Sequence, residues 1–310
     1  MQSNKEEEMV KGRLEEVDAL RVDGKTLIIT GRLFKAARLK EEWYEDVENP
    51  GPMIKALEDA KPKPDIFTFW QRLPEIAPKY NYFMEKESIA AVLIKSYDYW
   101  YNKQIDTNAR RAIRKSEKNG VRVKVARFDD EFIKGMTCIF NEAPVRQGKP
   151  FWHYGKDFET VKRQFSRYLY REDLIGAYYN DELIGFIMLG HAGKYAELGQ
   201  IISKIEHRDK SPNNALIAKA VEICDQKQIS YLTYGFWKRG SWGEFPRRNG
   251  FEKIDLPRYY IPLTVKGKLI LKLRLHHGIK GILPEKLLAR LLDLRRKYYT
   301  WKYYEKAGQT

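Results

Sequence analysis

The stretch YNDELIGFIMLGHAGKYAEL, from Tyr179 to Leu198, decides the fold. Asn180-Asp181 separates two apolar runs, a pattern that predicts a β-hairpin with a two-residue turn. The stretch VDGKTLIITGRLFKAARL, from Val22 to Leu39, has the same pattern, with Asp23-Gly24 at the turn. Each hairpin is followed by a proline with a helical pattern and then by a buried strand pattern, so the chain contains two similar series of elements.

The similarity extends further along the chain and indicates an internal duplication. Strand–turn–strand patterns are common, so chance recurrence is the alternative, but four anchors recur here in the same order. The further matches are Pro52 with MIKALEDA and Pro212 with LIAKAVEI, DIFTFWQR (65–72) and TYGFWKR (233–239), and YNYF (80–83) and RNGF (248–251).

The alternation of strand and helix patterns predicts an α/β fold with a mixed β-sheet flanked by helices, in two tandem domains. We expect a frayed polar tail over residues 1–14 and a shortened first domain over 15–100. A full second domain over 101–264 and a basic amphipathic extension over 265–310 follow. The second copy is longer because it also carries helical patterns between about 101 and 170.

Composition excludes several classes of protein. The chain has 310 residues, of which 43% are hydrophobic and 13% aromatic, which excludes global disorder. Two cysteines and five histidines without metal-ligand spacing favour neither a disulfide scaffold nor a metal centre, so we expect no metal. The start MQSNKEEEM has no apolar core of a signal peptide, and Leu183–Gly193 is too short to span a bilayer. We expect a cytoplasmic protein.

The excess positive charge is concentrated at the end of the chain. The net charge is +15, and residues 265–310 carry 12 Lys/Arg against 3 Asp/Glu. Lys268–Leu275, KLILKLRL, alternates and favours a strand, although so short a run also allows a helix. After Pro284, leucines, aromatic residues and cations at helical spacing are typical of a helix lying on an anionic membrane surface. Packing against the body or a second subunit is the alternative, and nucleic-acid binding ranks third because no motif supports it.

The order of elements, with Asn249-Gly-Phe-Glu252 near its end, resembles the GNAT (acyl-CoA N-acyltransferase) fold. The basic helix RRAIRKSEKNGV, Arg110–Val121, ahead of such a domain resembles the Fem aminoacyltransferase (FemABX-like) group, which also has two GNAT-like domains in one chain. The resemblance covers about residues 17–264. The cations of the helix are interpreted either as a solvated face or as contacts to a phosphorylated acceptor.

The resemblance implies transfer of an acyl or aminoacyl group to an amine, often on a cell-envelope precursor. The implied donor is acyl-CoA or aminoacyl-tRNA, and nucleic acid is a partner only with the tRNA donor. The alternative is a non-catalytic, degenerate module that binds an anionic polymer, nucleic acid or a membrane surface. Fold analogy alone never fixes the substrate.

In GNAT enzymes the long strand leads to a glycine-rich turn whose N–H groups, with a helix N-terminus, hold the pyrophosphate. This chain has HRDKSPNN, His207–Asn214, in that position without glycine, which argues for a different donor. The helix start still predicts an anion site, and the alternative is a capped helix with solvated charges. The predicted donor or anion contacts are Lys204, Arg208, Lys210, Ser211, Asn213 and Asn214.

Three residues are candidates for proton transfer. His207 and Asp209 lie at the predicted strand end, and an imidazole titrates near neutrality. Glu197 lies at the start of the long strand, where some GNAT enzymes place a base. The alternative for the first two is a surface pair.

Aromatic loops predict the acceptor site, because aromatic faces with cations suit a sugar or a nucleotide. In the alternative, Phe151 and Trp152 fill the core, the two Trp-x-Arg motifs are structural, and Arg247 is solvated. The predicted acceptor contacts are Phe151, Trp152, His153, Tyr154, Lys156, Phe236, Trp237, Arg239 and Arg247.

Overall fold

The computed structural model describes residues 4–10, 13–238, 243–278 and 285–305. The chain divides into two compact units. Unit 1 comprises Met1–Glu87, Val145–Trp152 and Leu256–Thr310, and unit 2 comprises Ser88–Pro144 and His153–Asp255. The sequence analysis placed the boundaries at residues 100 and 264, whereas the second part of the final strand and the basic extension fall within unit 1.

The secondary structure is numbered in chain order. The strands are β1 (Asn4–Val10), β2 (Arg13–Val22), β3 (Lys25–Thr30), β4 (Ala36–Leu39), β5 (Ile66–Trp70), β6 (Met84–Leu93), β7 (Arg122–Ala126), β8 (Val145–Arg146), β9 (Lys149–Pro150), β10 (Glu172–Tyr179), β11 (Glu182–Ala192), β12 (Tyr195–Ser203), β13 (Tyr231–Phe236) and β14 (Glu252–Pro262). The helices are α1 (Pro50–Glu58), α2 (Tyr97–Tyr99), α3 (Thr107–Lys118), α4 (Asp130–Asn141), α5 (Phe158–Phe165), α6 (Pro212–Gln226), α7 (Glu244–Arg248), α8 (Val265–Lys272) and α9 (Glu285–Thr300). Short π or 3₁₀ turns occupy Trp100–Gln104, Ser166–Arg171, Arg208–Lys210, Leu275–His277 and Trp301–Glu305.

The sheet of unit 1 has the strand order β1-β2-β3-β4-β5-β14. The predicted hairpin is confirmed, because β2 and β3 are antiparallel and join at Asp23-Gly24, where both residues have positive φ. β4 and β5 run parallel, and the chain between them passes through α1. The predicted frayed tail is wrong for residues 4–10. Asn4–Val10 forms an edge strand that pairs antiparallel with β2.

The sheet of unit 2 has the strand order β6-β13-β12-β11-β10-β7. β10 and β11 form the predicted hairpin at Asn180-Asp181, and both turn residues have positive φ. β12 and β13 run parallel, with α6 between them along the chain. Hairpin, third strand, helix and parallel strand thus occur in the same succession in both units, as the predicted duplication requires.

Helices cover both faces of the sheet in unit 2. Ile187 of β11 belongs to a buried cluster with Leu216 of α6. The neighbouring Phe186 points to the opposite face and packs against Phe132 and Phe140 of α4, with ring centroids 5.9 and 5.7 Å away. Because successive side chains of a strand alternate between faces, α4 and α6 lie on opposite sides of β11. The predicted α/β fold with a mixed, helix-flanked sheet is confirmed.

The basic helix predicted from Arg110 onward is α3. Asp106 caps it by accepting a hydrogen bond from the N–H of Ala109 at 2.7 Å, and Gly120 follows its end with a φ of 80°. Arg110 donates to the carbonyl oxygens of Tyr101, Asn102 and Ile105, which end the preceding π turn. This cation therefore has a structural role, and only part of the basic pattern faces solvent.

Residues 268–275 do not form the strand that their alternation favoured. Instead, α8 begins after Thr264, whose side-chain oxygen accepts from the N–H of Gly267 at 2.9 Å. Ile270 and Leu271 are buried, while Leu269 and Leu273 are exposed. The adjacent apolar residues 270 and 271 fit a helical period, and the absence of a side chain at Gly267 lets the helix approach the carbonyl group of Asp65.

Candidate functional site

A gap between two parallel strands is the central feature of unit 2. β12 and β13 pair at only three positions, and the last of these joins Glu197 to Thr233. Beyond that position β12 continues to Ser203 and β13 to Phe236 without further pairing. In open α/β sheets, ligands bind at the carboxyl ends of strands that separate in this way.

Irregularities on both strands account for the separation. Met188 of β11 faces Gln200, but the next residue, Leu189, faces Leu198, so Gly199 forms a bulge in β12. In β13 the pairing with β6 shifts between Thr233 and Phe236. Gly235 lies within that shift at a φ of 74°, a conformation that other residues adopt at a cost.

Glu197 lies where the two strands part. Glu197 is buried, and it lies in register with Gly190 of β11 and Thr233 of β13. The hydroxyl of Thr233 donates a hydrogen bond to the carbonyl oxygen of Ala196 at 3.2 Å. This bond links β12 and β13 at the point where their pairing ends. A buried carboxylate at the head of an opening is suited to accept a proton from a reacting group.

The N-terminus of α6 lies at the same end of the sheet, because α6 runs back from the end of β12 to the start of β13. Ser211, one of the predicted anion contacts, does not cap the helix, because it has a φ of 56° and makes no side-chain cap bond. Pro212 occupies the first turn, and within the described residues the buried Oδ1 of Asn213 has no hydrogen-bond partner. Asn214 donates to Oδ1 of the buried Asn249 at 3.2 Å. An uncapped helix N-terminus carries the partial positive charge that attracts anions.

A network of charged side chains fixes the turn before α6. Lys204 donates to Glu182 and to Glu206, and Nε2 of His207 lies 3.4 Å from Glu182. The bond from Lys204 lowers the pKa of Glu182. Burial acts to lower the pKa of Lys204, but its bonds to the two carboxylates outweigh burial and raise it. The ring of His207 therefore contacts this charged network, and it also packs 5.6 Å from Tyr179.

The other predicted residues of this turn differ in exposure. Arg208 and Asp209 are exposed, and Asp209 lies 3.4 Å from the ammonium group of Lys210. Lys210 also lies 4.8 Å above the ring of Tyr179. The sequence analysis missed Glu142, whose carboxylate accepts from the N–H groups of Ile205 and Glu206 at 2.6 and 3.0 Å. No local pattern signals this role, because Glu142 lies about 60 residues earlier in the chain.

The predicted acceptor loop is divided between the two units. Phe151 and Trp152 belong to unit 1, where Trp152 is exposed and Phe151 lies under the guanidinium of Arg146 at 5.2 Å. His153, Tyr154 and Lys156 belong to unit 2. The loop residue that fills the core of unit 2 is thus His153, rather than Phe151 or Trp152.

His153 packs like an aromatic core residue. Its ring stacks on Phe140 with centroids 4.5 Å apart, and Nδ1 lies 3.2 Å from the ammonium group of Lys156. Burial, helped by the charge of Lys156, lowers the pKa of His153 from 6.5 to about 4. Burial also lowers the pKa of Lys156, which donates to Gln164 at 2.6 Å. Only the exposed Tyr154 of this group is open to a ligand in unit 2.

The second predicted acceptor group follows β13. Trp237 is half-buried, and its backbone N–H donates to the carbonyl oxygen of Ser88 at 2.8 Å. The guanidinium of Arg247 lies 5.8 Å from the centre of the Trp237 ring, and Phe236 is exposed beside it. Arg239 lies outside the described residues. Tyr234, which the sequence analysis did not select, packs on Phe251 in this region, and burial raises its pKa to about 12.

Two cavities in unit 2 lie away from the gap. One of about 330 Å³ is lined by residues that include Lys124, Arg127 and Tyr178. The other, of about 620 Å³, includes Asp173 and His191, which contact each other at 2.7 Å. This hydrogen bond lowers the pKa of Asp173 to about 2. None of the residues predicted from the sequence lines either cavity.

Three solved structures share this architecture. FemX aligns over 87% of this chain and 90% of its own, with a TM-score of 0.55 and 12% identity. The chain has a GNAT-like fold of the FemABX type. L-PGS from Bacillus licheniformis aligns over 84% of this chain and 88% of its own, with a TM-score of 0.57 and 12% identity. The C-terminal domain of a candidate lysylphosphatidylglycerol synthetase from Agrobacterium fabrum aligns over 83% and 87%, with a TM-score of 0.56 and 12% identity.

At these identities the FemABX-type likeness concerns the fold. No protein-family model and no curated protein matches the chain significantly. The resemblance to the Fem group that the hairpins, the basic helix and the NGFE motif indicated is thus confirmed for the architecture.

Proposed function

We propose that the protein is an acyltransferase of the FemABX type, which transfers an acyl or aminoacyl group to an amine of a cell-envelope precursor. The observation that carries this proposal is the gap that opens beyond Glu197 and Thr233, at the same end of the sheet as the uncapped N-terminus of α6. A donor with its carbonyl group in the gap can direct its phosphates toward that helix.

Both donor classes, acyl-CoA and aminoacyl-tRNA, fit the requirement for an anion beside a carbonyl group. Arg208 and Lys210 add positive charge before α6. The chain has no glycine between His207 and Asn214, so close approach of the backbone to a pyrophosphate is restricted. This favours a donor held by side chains and the helix N-terminus over one wrapped by a glycine-rich turn.

The reaction needs few groups. The amine nitrogen attacks the donor's carbonyl carbon, a C–N bond forms, and the bond to the leaving sulfur or oxygen breaks. A base accepts the amine proton, and the leaving group takes up a proton. Glu197 is the first candidate base because of its position, and His207 is the second because its Nδ1 is buried without a partner in the described residues. Asp209 is the weakest candidate, since it is exposed.

The acceptor is proposed to contact Trp237 and Arg247, with Phe236 beside them. An indole face with an adjacent guanidinium suits a sugar ring that carries a phosphate, as in an envelope precursor. Arg247 is exposed and lies in the last turn of α7.

The proposal is tested first by donor binding, which does not require the acceptor to be known. The purified chain is titrated with acetyl-CoA and, separately, with aminoacyl-tRNA, and bound donor is measured by equilibrium dialysis. We expect one of the two donors to bind in the micromolar range and its release to be accelerated by an envelope-type amine. Binding of deacylated polyanions with equal affinity, and no acyl transfer, would support the non-catalytic alternative.

A second element of the proposal is attachment to an anionic membrane surface through residues 265–310. Leu287, Leu291, Leu294 and Tyr298 are exposed at spacings of three and four residues, which places them on one side of α9. Exposed cations, including Arg290, Arg296 and Lys297, accompany this stripe. Among the described residues, no helix has the length and apolar composition needed to cross a bilayer. Leucines with flanking cations are typical of helices that lie in the interface.

α8 adds a second exposed apolar stripe to unit 1. Val265, Leu269 and Leu273 are exposed at intervals of four residues, and lysines accompany them at positions 266, 268 and 272. The test is co-sedimentation with vesicles of phosphatidylglycerol and phosphatidylcholine, compared with phosphatidylcholine alone. Leu291→Ser with Leu294→Ser should weaken binding to the anionic vesicles about tenfold, and high salt should weaken it further. Unchanged sedimentation, with a dimer that the same variant dissociates, would assign the stripe to a second copy of the chain.

A further inference from the structure

A cluster of two histidines and one glutamate lies in unit 1, away from the strands of the gap. Nε2 of His277 lies 2.7 Å from one carboxylate oxygen of Glu85, and Nε2 of His276 lies 3.4 Å from the other. One ligand atom from each of the three residues falls within 4.8 Å of the others. Although the spacing of the histidines in the sequence favoured no metal, we propose that Glu85, His276 and His277 bind a divalent transition-metal ion of the zinc type.

The local backbone explains how two adjacent histidines can face one carboxylate. Arg274 adopts a φ of 55°, and the 3₁₀ turn Leu275–His277 follows directly. The two imidazole rings lie side by side with centroids 4.0 Å apart. Glu85 belongs to β6, so its backbone is fixed by the sheet. The turn is also anchored, because Leu275 packs against the buried cluster of Ile270 and Leu271.

The burial of His276 is the second observation that points to a ligand. Its side chain is only 3% exposed, and its Nε2 lies 3.4 Å from the carboxylate of Glu85, outside the geometry of a good hydrogen bond. A buried imidazole without hydrogen bonds is costly. The ring packs edge-on against Tyr260 with centroids 4.7 Å apart, which restricts its orientation. A metal ion bonded to Nε2 would satisfy the nitrogen that now faces the carboxylate.

The donor set selects the class of metal. Imidazole nitrogens suit zinc, cobalt, nickel and copper, whereas magnesium and calcium prefer an all-oxygen shell. With metal–nitrogen bonds of about 2.0 Å, two ligand atoms of a tetrahedral ion lie about 3.3 Å apart, so the three atoms need to move little. Three protein ligands leave one position for water. The bound ion would join the Leu275–His277 turn to the first four residues of β6, which belong to unit 1.

Glu182, Glu206 and His207 form the other group of three possible ligands in the described residues. There, the ammonium group of Lys204 already bonds to both carboxylates. A metal ion would have to displace this cation, so the unit 1 cluster is the better site. Lys204 also makes the second group a useful control.

The test is calorimetric titration of the full-length, tag-free chain with Zn²⁺, supported by the visible absorption of Co²⁺. We expect one high-affinity ion per chain, a rise in the thermal midpoint, and no comparable effect of Mg²⁺. Glu85→Gln and His277→Asn should each weaken Zn²⁺ binding by at least about tenfold, since even residues that only support metal ligands have effects of this size. His277 is partly exposed, so its variant should fold, and circular dichroism checks this.

Two control variants complete the experiment. His191→Asn removes a histidine of unit 2 that pairs with Asp173, and Glu206→Gln disrupts the competing group. Both should bind Zn²⁺ as the unaltered chain does. The proposal is overturned if the unaltered chain binds no Zn²⁺, if Glu85→Gln and His277→Asn bind it normally, or if Glu206→Gln abolishes binding.

Discussion

The parallel pairs β4–β5 and β12–β13 have the same topology, but different side chains lie at their ends. β4 pairs with β5 at Ala36 with Ile66 and at Ala37 with Phe67, and β12 pairs with β13 in the equivalent way. In each unit an antiparallel hairpin precedes the pair and a helix connects its strands. The duplicated fold therefore provides two places where a parallel pair ends, one in each unit.

In unit 1 large side chains occupy the region where the pair ends. The rings of Trp43 and Trp70 meet edge to face with centroids 4.6 Å apart, and the Arg72 guanidinium lies 4.6 Å from Trp70. Trp70 donates its indole N–H to the carbonyl oxygen of Glu42 at 2.9 Å. Arg258 forms ion pairs with Glu42 and Glu87. These contacts make the first Trp-x-Arg motif structural.

The helices that follow the first strand of each pair also differ. In unit 1 the side chain of Asn49 accepts from the N–H of Gly51 at 3.1 Å and so caps α1. In unit 2 Ser211 makes no such bond to α6. Aromatic residues fill the strand end of unit 1 and a side chain caps its helix, whereas the strands of unit 2 separate beyond Glu197 and its helix has no side-chain cap.

Trp70→Ala should have the largest effect, because it removes a fully buried ring from the closed unit. We expect a loss of about 3–5 kcal/mol in the free energy of unfolding, the usual cost of deleting a large buried aromatic side chain. The matched variant is Trp237→Ala, whose ring is only half-buried in unit 2. Urea unfolding should show less than half the loss for that variant. Equal losses would contradict the contrast between a closed and an open strand end.

Glu197→Gln should have the next largest effect, and it acts on turnover. Removing a base from proton transfer lowers kcat by roughly 10²–10⁴-fold. The control residue in unit 1 is Arg38, which directly follows Ala37, the last residue of β4 that pairs with β5. Arg38→Gln should leave kcat unchanged, and donor binding should be similar in both variants.

The rate assay also decides between the two candidate bases. If Glu197→Gln retains full turnover while His207→Gln loses it, the proton acceptor is His207. If both variants retain full turnover, the assignment of the reaction to this gap is wrong.

Topology could be predicted from the sequence because it depends on local signals. Asn180-Asp181 and Asp23-Gly24 adopt the positive φ values that two-residue turns require, and Pro52 and Pro212 lie in the first turns of α1 and α6. The strand predicted over residues 268–275 was wrong. Alternation over eight residues does not exclude a helix when two apolar residues, here Ile270 and Leu271, are adjacent.

The site could be predicted only in part, since it depends on contacts between distant residues. The anion-binding character of α6 followed from its position after the long strand. The bonds from Glu142 to the turn at Ile205 and from Lys204 to Glu182 have no local signature. His153 was selected for its chemistry, but its surroundings in the fold make it a core residue. Arg239 and residues 240–242 lie outside the described part of the chain.

Acidification should reveal the buried imidazole of His153, which packs against Phe140 of α4 and Phe165 of α5 in unit 2. The pKa of His153 is about 4 in the folded chain and 6.5 when it is solvated. Above pH 6.5 both states are neutral, so His153 has no effect. Between pH 6.5 and 4 only the unfolded chain takes up this proton, so stability falls as pH falls, by up to roughly 3 kcal/mol at 1.36 kcal/mol per pKa unit.

His153→Phe is the variant that isolates this effect, because phenylalanine keeps the stack on Phe140 and does not titrate. The free energy of unfolding of the unaltered chain and of the variant is measured in urea at pH 7 and at pH 5. The variant should lose less stability between the two values. Parallel pH curves for the two proteins would show that His153 is solvated.

Asn213→Asp should have the smallest effect and addresses the donor site directly. A carboxylate in the first turn of α6 interacts favourably with the helix dipole, which offsets part of the cost of charging a buried position, but the same charge repels the phosphates of a donor. We expect KM for the donor to rise about tenfold, equivalent to about 1.4 kcal/mol, with kcat little changed.

Asn49→Asp is the matched variant, since it places the same charge at the N-terminus of α1, where aspartate is also a good cap. It should leave KM unchanged, because the strand end of unit 1 is filled by Trp43 and Trp70. The dependence of KM on salt separates charge repulsion from a change in shape: the difference between the two variants should shrink as ionic strength rises. If the difference persists in high salt, Asn213 contacts the donor through its amide group. If KM rises equally in both variants, the donor does not distinguish the two helix N-termini, which would contradict the prediction.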